Sequence, residues 1–464
     1  MAGPSFVGPS YALDTRTADV QRSINCYPVP VESGSGKSQY MLKALFGLVS
    51  RASIGTLGRG AYEINGRAWV VVNAGLYELA YDGTTLTSTL RGTMQTSTGF
   101  VSMSSNTTQL FIVDGTYGYV LDLATDVFAQ ITDEDFPGSD LTDYLDQYAI
   151  LAPSGDQKFF ITALGDASDI DALDFASSEA LPDDLVSFRV VNRELWLLNR
   201  NGTEVWFNSG ASDFPIERNN GSIMSVGCDA KWTVQPFNNS LAWLGSDKAG
   251  GPGVWYAVGY QAQRISNRCV EQAIARCTDL SRAIAYTHRI DGSTFYCLQL
   301  PGLTTTWCFD ILTGAWHERS DFEEGEHVRH RVSWYVRFAG MDLGLGDDGT
   351  VYEMSRTAYD NAGDALVMDR VSPHNALPNQ TPIFYSDFRL DMDVGFVGSV
   401  MLRYSDDGGA NWGIWDTRSL GGVGNVRTQL RWLRCGSAAD RVWWARITDA
   451  VPRSIVSANV TVAQ

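Results

Sequence analysis

Glu194-Leu-Trp-Leu-Leu-Asn-Arg-Asn-Gly-Thr-Glu-Val-Trp-Phe207 holds an apolar run, a turn built from Asn, Arg, Asn and Gly, and a second run closing on two aromatics. Strand formers on either side of turn formers predict a β-hairpin. The phrase returns along the chain, at Arg67-Ala-Trp-Val-Val-Val-Asn-Ala-Gly-Leu-Tyr-Glu-Leu79 and at Gln109-Leu-Phe-Ile-Val-Asp-Gly-Thr-Tyr-Gly-Tyr-Val-Leu-Asp122. It returns again at Leu241–Gly245 with Val254–Tyr256, at Ser293–Leu298 with Thr306–Phe309, and at Met341–Glu353. Anchored on Trp69, Leu110, Phe159, Leu195, Trp243, Phe295 and Leu343, the repeats lie 41, 49, 36, 48, 52 and 48 residues apart. A period of about 40–50 residues filled with strands predicts propeller blades. One blade cannot cover its own two faces, so blades pack radially around an axis. The expected fold is all-β, an irregular six- or seven-bladed β-propeller. An irregular stack of β-sandwiches is the competing arrangement.

The flanks lack the repeat. Residues 1–55 carry Pro4, Pro9, Pro28 and Pro30 and a Ser33-Gly-Ser-Gly-Lys37 patch, which predicts an extended N-terminal arm. A strand from this arm would complete the last blade and close the ring. The propeller is expected over residues 56–370. Asp360-Asn-Ala-Gly-Asp364 and Pro373, Pro378 and Pro382 then interrupt the pattern. Beyond them Ile383–Leu390, Ser399–Tyr404, Arg441–Ile447 and Ser457–Val462 alternate polar and apolar residues, as half-buried strands do. Residues 371–464 therefore read as a C-terminal β-sandwich. Helix signals are sparse: Glu271–Arg276 is the best, with Ser266 or Asn267 as its cap.

The net charge of −18 argues against broad phosphate binding, which draws on a Lys/Arg surface. Acid concentrates between Asp133 and Asp184, whereas Arg418, Arg427, Arg431, Arg434, Arg441, Arg446 and Arg453 gather near the end. The acidic run reads as solvated loops, or as a surface that repels DNA or receives an Arg-rich partner. Seven cysteines form no CxxC pair, which predicts buried free thiols in a reducing compartment. The start has no basic segment or apolar h-region, and no stretch approaches the roughly 18 apolar residues of a membrane span. A soluble product without a secretion signal is expected.

Ser405-Asp-Asp-Gly-Gly-Ala-Asn-Trp412 matches the Asp-box pattern Ser-x-Asp-x-Gly-x-x-Trp. Asp407 can bond turn amides, Gly409 supplies a permissive backbone angle and Trp412 packs beneath the hairpin. Asp-boxes occur in sialidases, which raises a carbohydrate-binding or sialidase-like propeller as the alternative function, although the motif is a hairpin brace. His317, His327 and His330 invite a metal reading. On a strand, however, residues three apart point to opposite faces, so no metal site is expected there. Asp166-Ala-Ser-Asp-Ile-Asp-Ala-Leu-Asp174 lacks the glycine turn and terminal Glu of a calcium loop and reads as a loop leading into a strand. Ser33–Lys37 has the wrong spacing for a phosphate loop. No Ser/His/Asp or Cys/His set stands out, so no catalytic, cofactor-binding or metal residues are assigned.

The centre of the chain carries a more distinctive series. Thr203-Glu-Val-Trp-Phe-Asn-Ser-Gly-Ala-Ser-Asp-Phe-Pro-Ile216 is followed by Gly227-Cys-Asp-Ala-Lys231, Leu241–Asp247, Gly253–Tyr256, and Gly259-Tyr-Gln-Ala-Gln-Arg-Ile-Ser266 with Glu271. Ile24-Asn-Cys-Tyr-Pro-Val-Pro-Val-Glu-Ser33 with Gly36-Lys37, and Leu402–Trp412 through Arg441-Val442, flank it. In this order the segments resemble the packaged-DNA stabilisation proteins, or tail hub (tail accessory) proteins, of short-tailed bacteriophages. That resemblance implies a structural virion protein in the tail, assembled in the host cytoplasm and not an enzyme. It further implies a homo-oligomeric ring, a hexamer, below the portal or adaptor protein. The ring would extend the DNA channel, retain packaged DNA without sequence-specific binding, and dock fibre, spike or needle proteins. A host scaffold with a peptide-binding face would leave the terminal segments unexplained.

Overall fold

The computed structural model describes residues 6–463 except 34–35, 179–182, 249 and 378. Seven groups of four antiparallel strands, based on residues 58–93, 102–130, 142–177, 185–218, 235–264, 284–323 and 332–355, form blades 1 to 7; six are separate sheets and the strands of blade 6 are part of a twelve-stranded sheet. The fourth strand of blade 7 is Gly47–Ser53, which pairs antiparallel with Thr350–Ser355. The innermost strands neighbour one another in cyclic order, with that of blade 7 beside that of blade 1, so the ring is closed.

Two-residue turns make the hairpins. Asn65 and Gly66 of blade 1 have φ of 55° and 74°, and Asp291 and Gly292 of blade 6 have 49° and 85°. Two successive positive φ angles match the right-handed twist of the strands they join. The period of two then builds the cores. In Gln109–Val113, Leu110 and Ile112 enter the core shared with blade 1, while Phe111 and Val113 enter the core shared with blade 3. Each interface between neighbouring blades has such a core, and Trp69, Trp243 and Trp316 lie wholly inside three of them.

The helix forms over Arg268–Ala275, capped by Asn267, whose side chain accepts from the Val270 amide at 3.1 Å. Val270, Ala273 and Ile274 plug the core between blades 5 and 6.

The N-terminal segment is woven into three sheets. Val20–Ile24 lies between Ala315–Glu323 of blade 6 and Met368–Val371, extending the sheet of blade 6 into the sandwich. Cys26–Pro30 and Tyr40–Ala44 form a hairpin on the second sandwich sheet, beside Ile455–Ala463, Ile383–Met392 and Leu430–Ala438. Gly47–Ser53 then crosses to blade 7. The sandwich core holds Phe388, Trp432, Trp443 and Leu402, with the Phe388 and Trp443 rings 4.7 Å apart.

Candidate functional site

The propeller axis holds a cavity of about 590 Å³ lined by the inner strands, with Tyr62, Arg189, Tyr335 and Arg337, and by Trp232 of the 3-10 turn between blades 4 and 5. At one end Phe100 meets Trp232 and Trp334 edge to face, with centroids 5.3 and 5.7 Å apart. A pocket of this size cannot pass a duplex whose major groove alone is about 12 Å wide. Burial pushes the Asp143 carboxyl on the inner strand of blade 3 upward, against the opposing pull of Arg189 at 3.6 Å and the Val190 amide at 2.8 Å. These groups brace one another across the inner wall.

The sequence-derived candidates fall as follows. In the Asp-box, the Ser405 hydroxyl donates to Asp407 at 2.7 Å and accepts from the Gly409 amide at 2.8 Å, while Asp407 accepts from the Asn411 amide at 2.8 Å. Those bonds hold the Asp407 carboxyl at about 2. Trp412 packs edge to face on Trp444, and the Arg403 guanidinium lies over both rings and Trp415. The motif braces its hairpin.

The three histidines do not converge. His317 is buried beside Tyr27 and Phe295, and burial lowers its basicity strongly. His327 bridges Ser320 and Asp369, and His330 is buried separately. Among the described residues no group of three His, Cys, Asp or Glu side chains is arranged to hold a metal. The predicted loop at 166–174 is instead part of a twelve-residue strand, Asp166–Ser177, paired with Lys158–Ala163 through two irregularities of register. Its backbone is held because Asp133 and Asp135, from the preceding loop, accept from the Ile170 and Ala172 amides at 3.2 and 3.4 Å. Ser33–Lys37 falls partly outside the described residues.

One buried cluster had no signal in the sequence. Cys297 and Cys308 face each other across blade 6 with their sulfurs 3.1 Å apart, and His288 Nδ1 lies 3.8 Å from Cys297 Sγ. Arg319 places Nη1 2.9 Å from His288 Nε2, with no carboxylate paired to it among the described residues. Burial opposes ionisation of Cys297, yet the Cys308 thiol, Arg319 and His288 together hold it well below the ordinary thiol range. Both sulfurs are wholly buried, so the arrangement reads as an internal charge brace. All seven cysteines are unpaired by disulfides.

Ionic locks join propeller to sandwich. Glu318 of blade 6, fully buried, accepts from Arg22 Nε at 2.9 Å, Thr305 at 2.8 Å and Ser10 at 3.0 Å. Asp369 accepts two bonds from Arg446 of the sandwich, at 2.8 and 2.6 Å, and lies 2.7 Å from His327 of blade 6. Burial alone would raise its carboxyl, but these bonds outweigh it and hold it at about 2. Arg370 reaches back along the arm to the Phe6 and Pro9 carbonyls at 2.6 and 2.9 Å.

A family model described as bacteriophage P22 Gp10, beta-propeller, matches residues 16–356, and one described as bacteriophage P22 Gp10, beta-sandwich, matches residues 371–463. The chain belongs to the bacteriophage P22 Gp10 family. It is a phage tail structural protein involved in DNA stabilisation and a component of the virion. A search of curated proteins returns no match. Among solved structures, the WD40 beta propeller domain of Doa1 is similar at 12% identity, covering 67% of this chain and 97% of that one, with a TM-score of 0.41. YCF48 bound to D1 peptide gives 14% identity, coverage of 66% and 94%, and a TM-score of 0.41. The extracellular domain of the hybrid two component system BT4673 from B. thetaiotaomicron gives 10%, 81% and 47%, and 0.45.

In this Gp10-family subunit the charge is unevenly distributed. Residues 133–184 hold fourteen acids against Lys158 alone, whereas residues 371–464 hold nine arginines against eight aspartates. No helix among the described residues is long and apolar enough to cross a membrane.

Proposed function

We propose that this chain is the subunit of a tail hub: a hexameric ring below the portal or adaptor that extends the DNA channel and retains the packaged genome. Fibre, spike or needle proteins dock on its exposed loops. The observation that carries the reading is a closed propeller continued into a sandwich through the arm strand, with Glu318 of blade 6 paired to Arg22 of the arm and Asp369 bridging His327 of blade 6 and Arg446 of the sandwich, in a chain matched along most of its length by the Gp10 family models. A ring that holds DNA under pressure needs subunits that do not flex between domains. Buried ion pairs supply such a joint, because removing either partner strands the other charge.

The subunit's own axis is too narrow for DNA, so the DNA path lies between subunits around the ring. The excess of acid keeps duplex from sticking to the wall, because few cations are offered to replace phosphate counterions. Imaging of purified virions tests the proposal: density for this chain should form a sixfold ring on the tail axis. A protein that is monomeric and absent from virions would defeat it.

The glycan-binding reading has one feature in its favour, a cavity of about 510 Å³ between propeller, arm and sandwich whose lining includes Trp307, Trp412 and Trp444. Glycan-array binding abolished by Trp412→Ala would support it; a blank array would not.

A further inference from the structure

The two ends of the molecule carry complementary surfaces. The sandwich grows out of blade 6, and the closing strand of blade 7 enters from the same side. In a ring of seven, blade 3 stands opposite the seam between blades 6 and 7. Its outermost strand, Asp166–Ser177, is therefore the propeller edge farthest from the sandwich. Leu430–Ala438 is the last strand of its sandwich sheet, and the other end of that sheet is the arm hairpin that packs on blade 6.

On the strand of blade 3, Asp169, Asp171 and Leu173 are exposed, with Leu173 at 81%. None of Glu134, Asp169, Asp171 or Asp174 has a cationic partner among the described residues. Asp174 is pushed up by burial and by the neighbouring Asp171 charge, so the acids crowd one another. On the outer face of the far sandwich edge, Leu433 is 59% exposed beside Arg434 and next to the paired Arg389 and Arg431, and Phe384, 62% exposed and opposite Ser437, lies farther along the same edge. Arg389 and Arg431 share the single carboxylate of Asp387, while Arg427 and Arg434 have no acidic partner among the described residues. Each end thus presents exposed apolar side chains set in unneutralised charge, with opposite sign.

We infer that the arginine-rimmed Phe384/Leu433 face of one copy docks on the Asp169–Leu173 edge of the next copy, forming the head-to-tail contact between subunits. Different patches at opposite ends of a subunit make a heterologous contact, and such contacts close into a ring when the rotation between copies closes. The apolar side chains supply contact area, and the opposed charges fix partner and register. The inference rests on the hub reading for the existence of a ring and adds which surfaces build it.

The test uses the full-length chain, with self-association measured by analytical ultracentrifugation at low and high salt. Asp169→Arg with Asp171→Arg, or Arg427→Glu with Arg434→Glu, should each weaken association at least about tenfold, because like charges then meet across the contact. Combining all four substitutions should restore it, since the signs are exchanged and still opposed. Melting temperatures matching the wild type show that each variant folds. Higher salt should weaken assembly of the wild type and of the fourfold variant alike. Rings that form equally well in every variant overturn this contact and leave the hub reading standing. Failure of the fourfold variant to recover, while folded, also overturns it. A wild-type chain that neither associates nor occurs in virions overturns both.

Discussion

Replacing Asp369 with Asn should uncouple the two domains. The carboxyl is inaccessible to solvent, receives both Arg446 bonds and His327, and is held at about 2 against an ordinary 3.8. That depression corresponds to roughly 2–3 kcal/mol of stability at neutral pH. Asn keeps the volume and one acceptor, so the loss should be close to that figure. Asp369→Ala, which strands the Arg446 charge, should cost more, about 3–5 kcal/mol. Because the folded carboxyl is the stronger acid, its contribution is complete above the unfolded value near 4 and vanishes as pH falls through about 2. Urea unfolding of wild type and Asp369→Asn at pH 7, 4, 3 and 2 is the assay. Other depressed carboxyls, such as Glu318 and Asp407, act in both proteins, so the difference between them isolates this site. The gap should be widest at pH 7 and shrink toward zero by pH 2. Equal stabilities at pH 7, or a gap constant with pH, would refute the reasoning.

Trp243 is fully buried between blades 4 and 5, where its indole donates to the Gly227 carbonyl at 3.0 Å. Trp243→Ala should cost about 3–5 kcal/mol, read as a shifted denaturant midpoint. A chain lacking residues 1–53 should not fold, because it loses the closing strand of blade 7 and the strand between blade 6 and the sandwich; a cooperative melt would contradict this. Native protein should react slowly with a thiol reagent, chiefly at the half-buried Cys277, and release all seven thiols only on denaturation. Fewer than seven after unfolding without reductant would mean that a disulfide forms.

The blades were readable because their information is local. Asn65-Gly66 and Asp291-Gly292 write a hairpin into two residues, and alternation in Gln109–Val113 assigns each side chain to a core. Asn267 was legible, with Ser266, as one of two cap candidates for the same reason. The loop reading of 166–174 failed because the strand is solvated on an edge and carries no apolar alternation. What makes it a strand is pairing with Lys158–Ala163 and two carboxylates of the loop leading into blade 3, which accept from its amides. The lock around Asp369 and the pairing of Cys297 with His288 and Arg319 join residues whose neighbours in sequence give no hint of one another. Charge asymmetry was visible, but only the topology shows that acid and arginine stand at opposite ends.

The weave of the N-terminal segment has a consequence in time. Gly47–Ser53 leaves the ribosome early, yet its partner Thr350–Ser355 follows about 300 residues later, and Tyr40–Ala44 waits longer still for Ile455–Ala463. At roughly 5–20 residues per second the first wait lasts about 15–60 s. During that interval the early strands have no native partner, and pairings so distant in sequence form slowly. The chain therefore reaches its final form only when synthesis is essentially complete. A fragment terminated before Thr350 carries no finished propeller, and cannot enter a growing tail in place of the whole subunit.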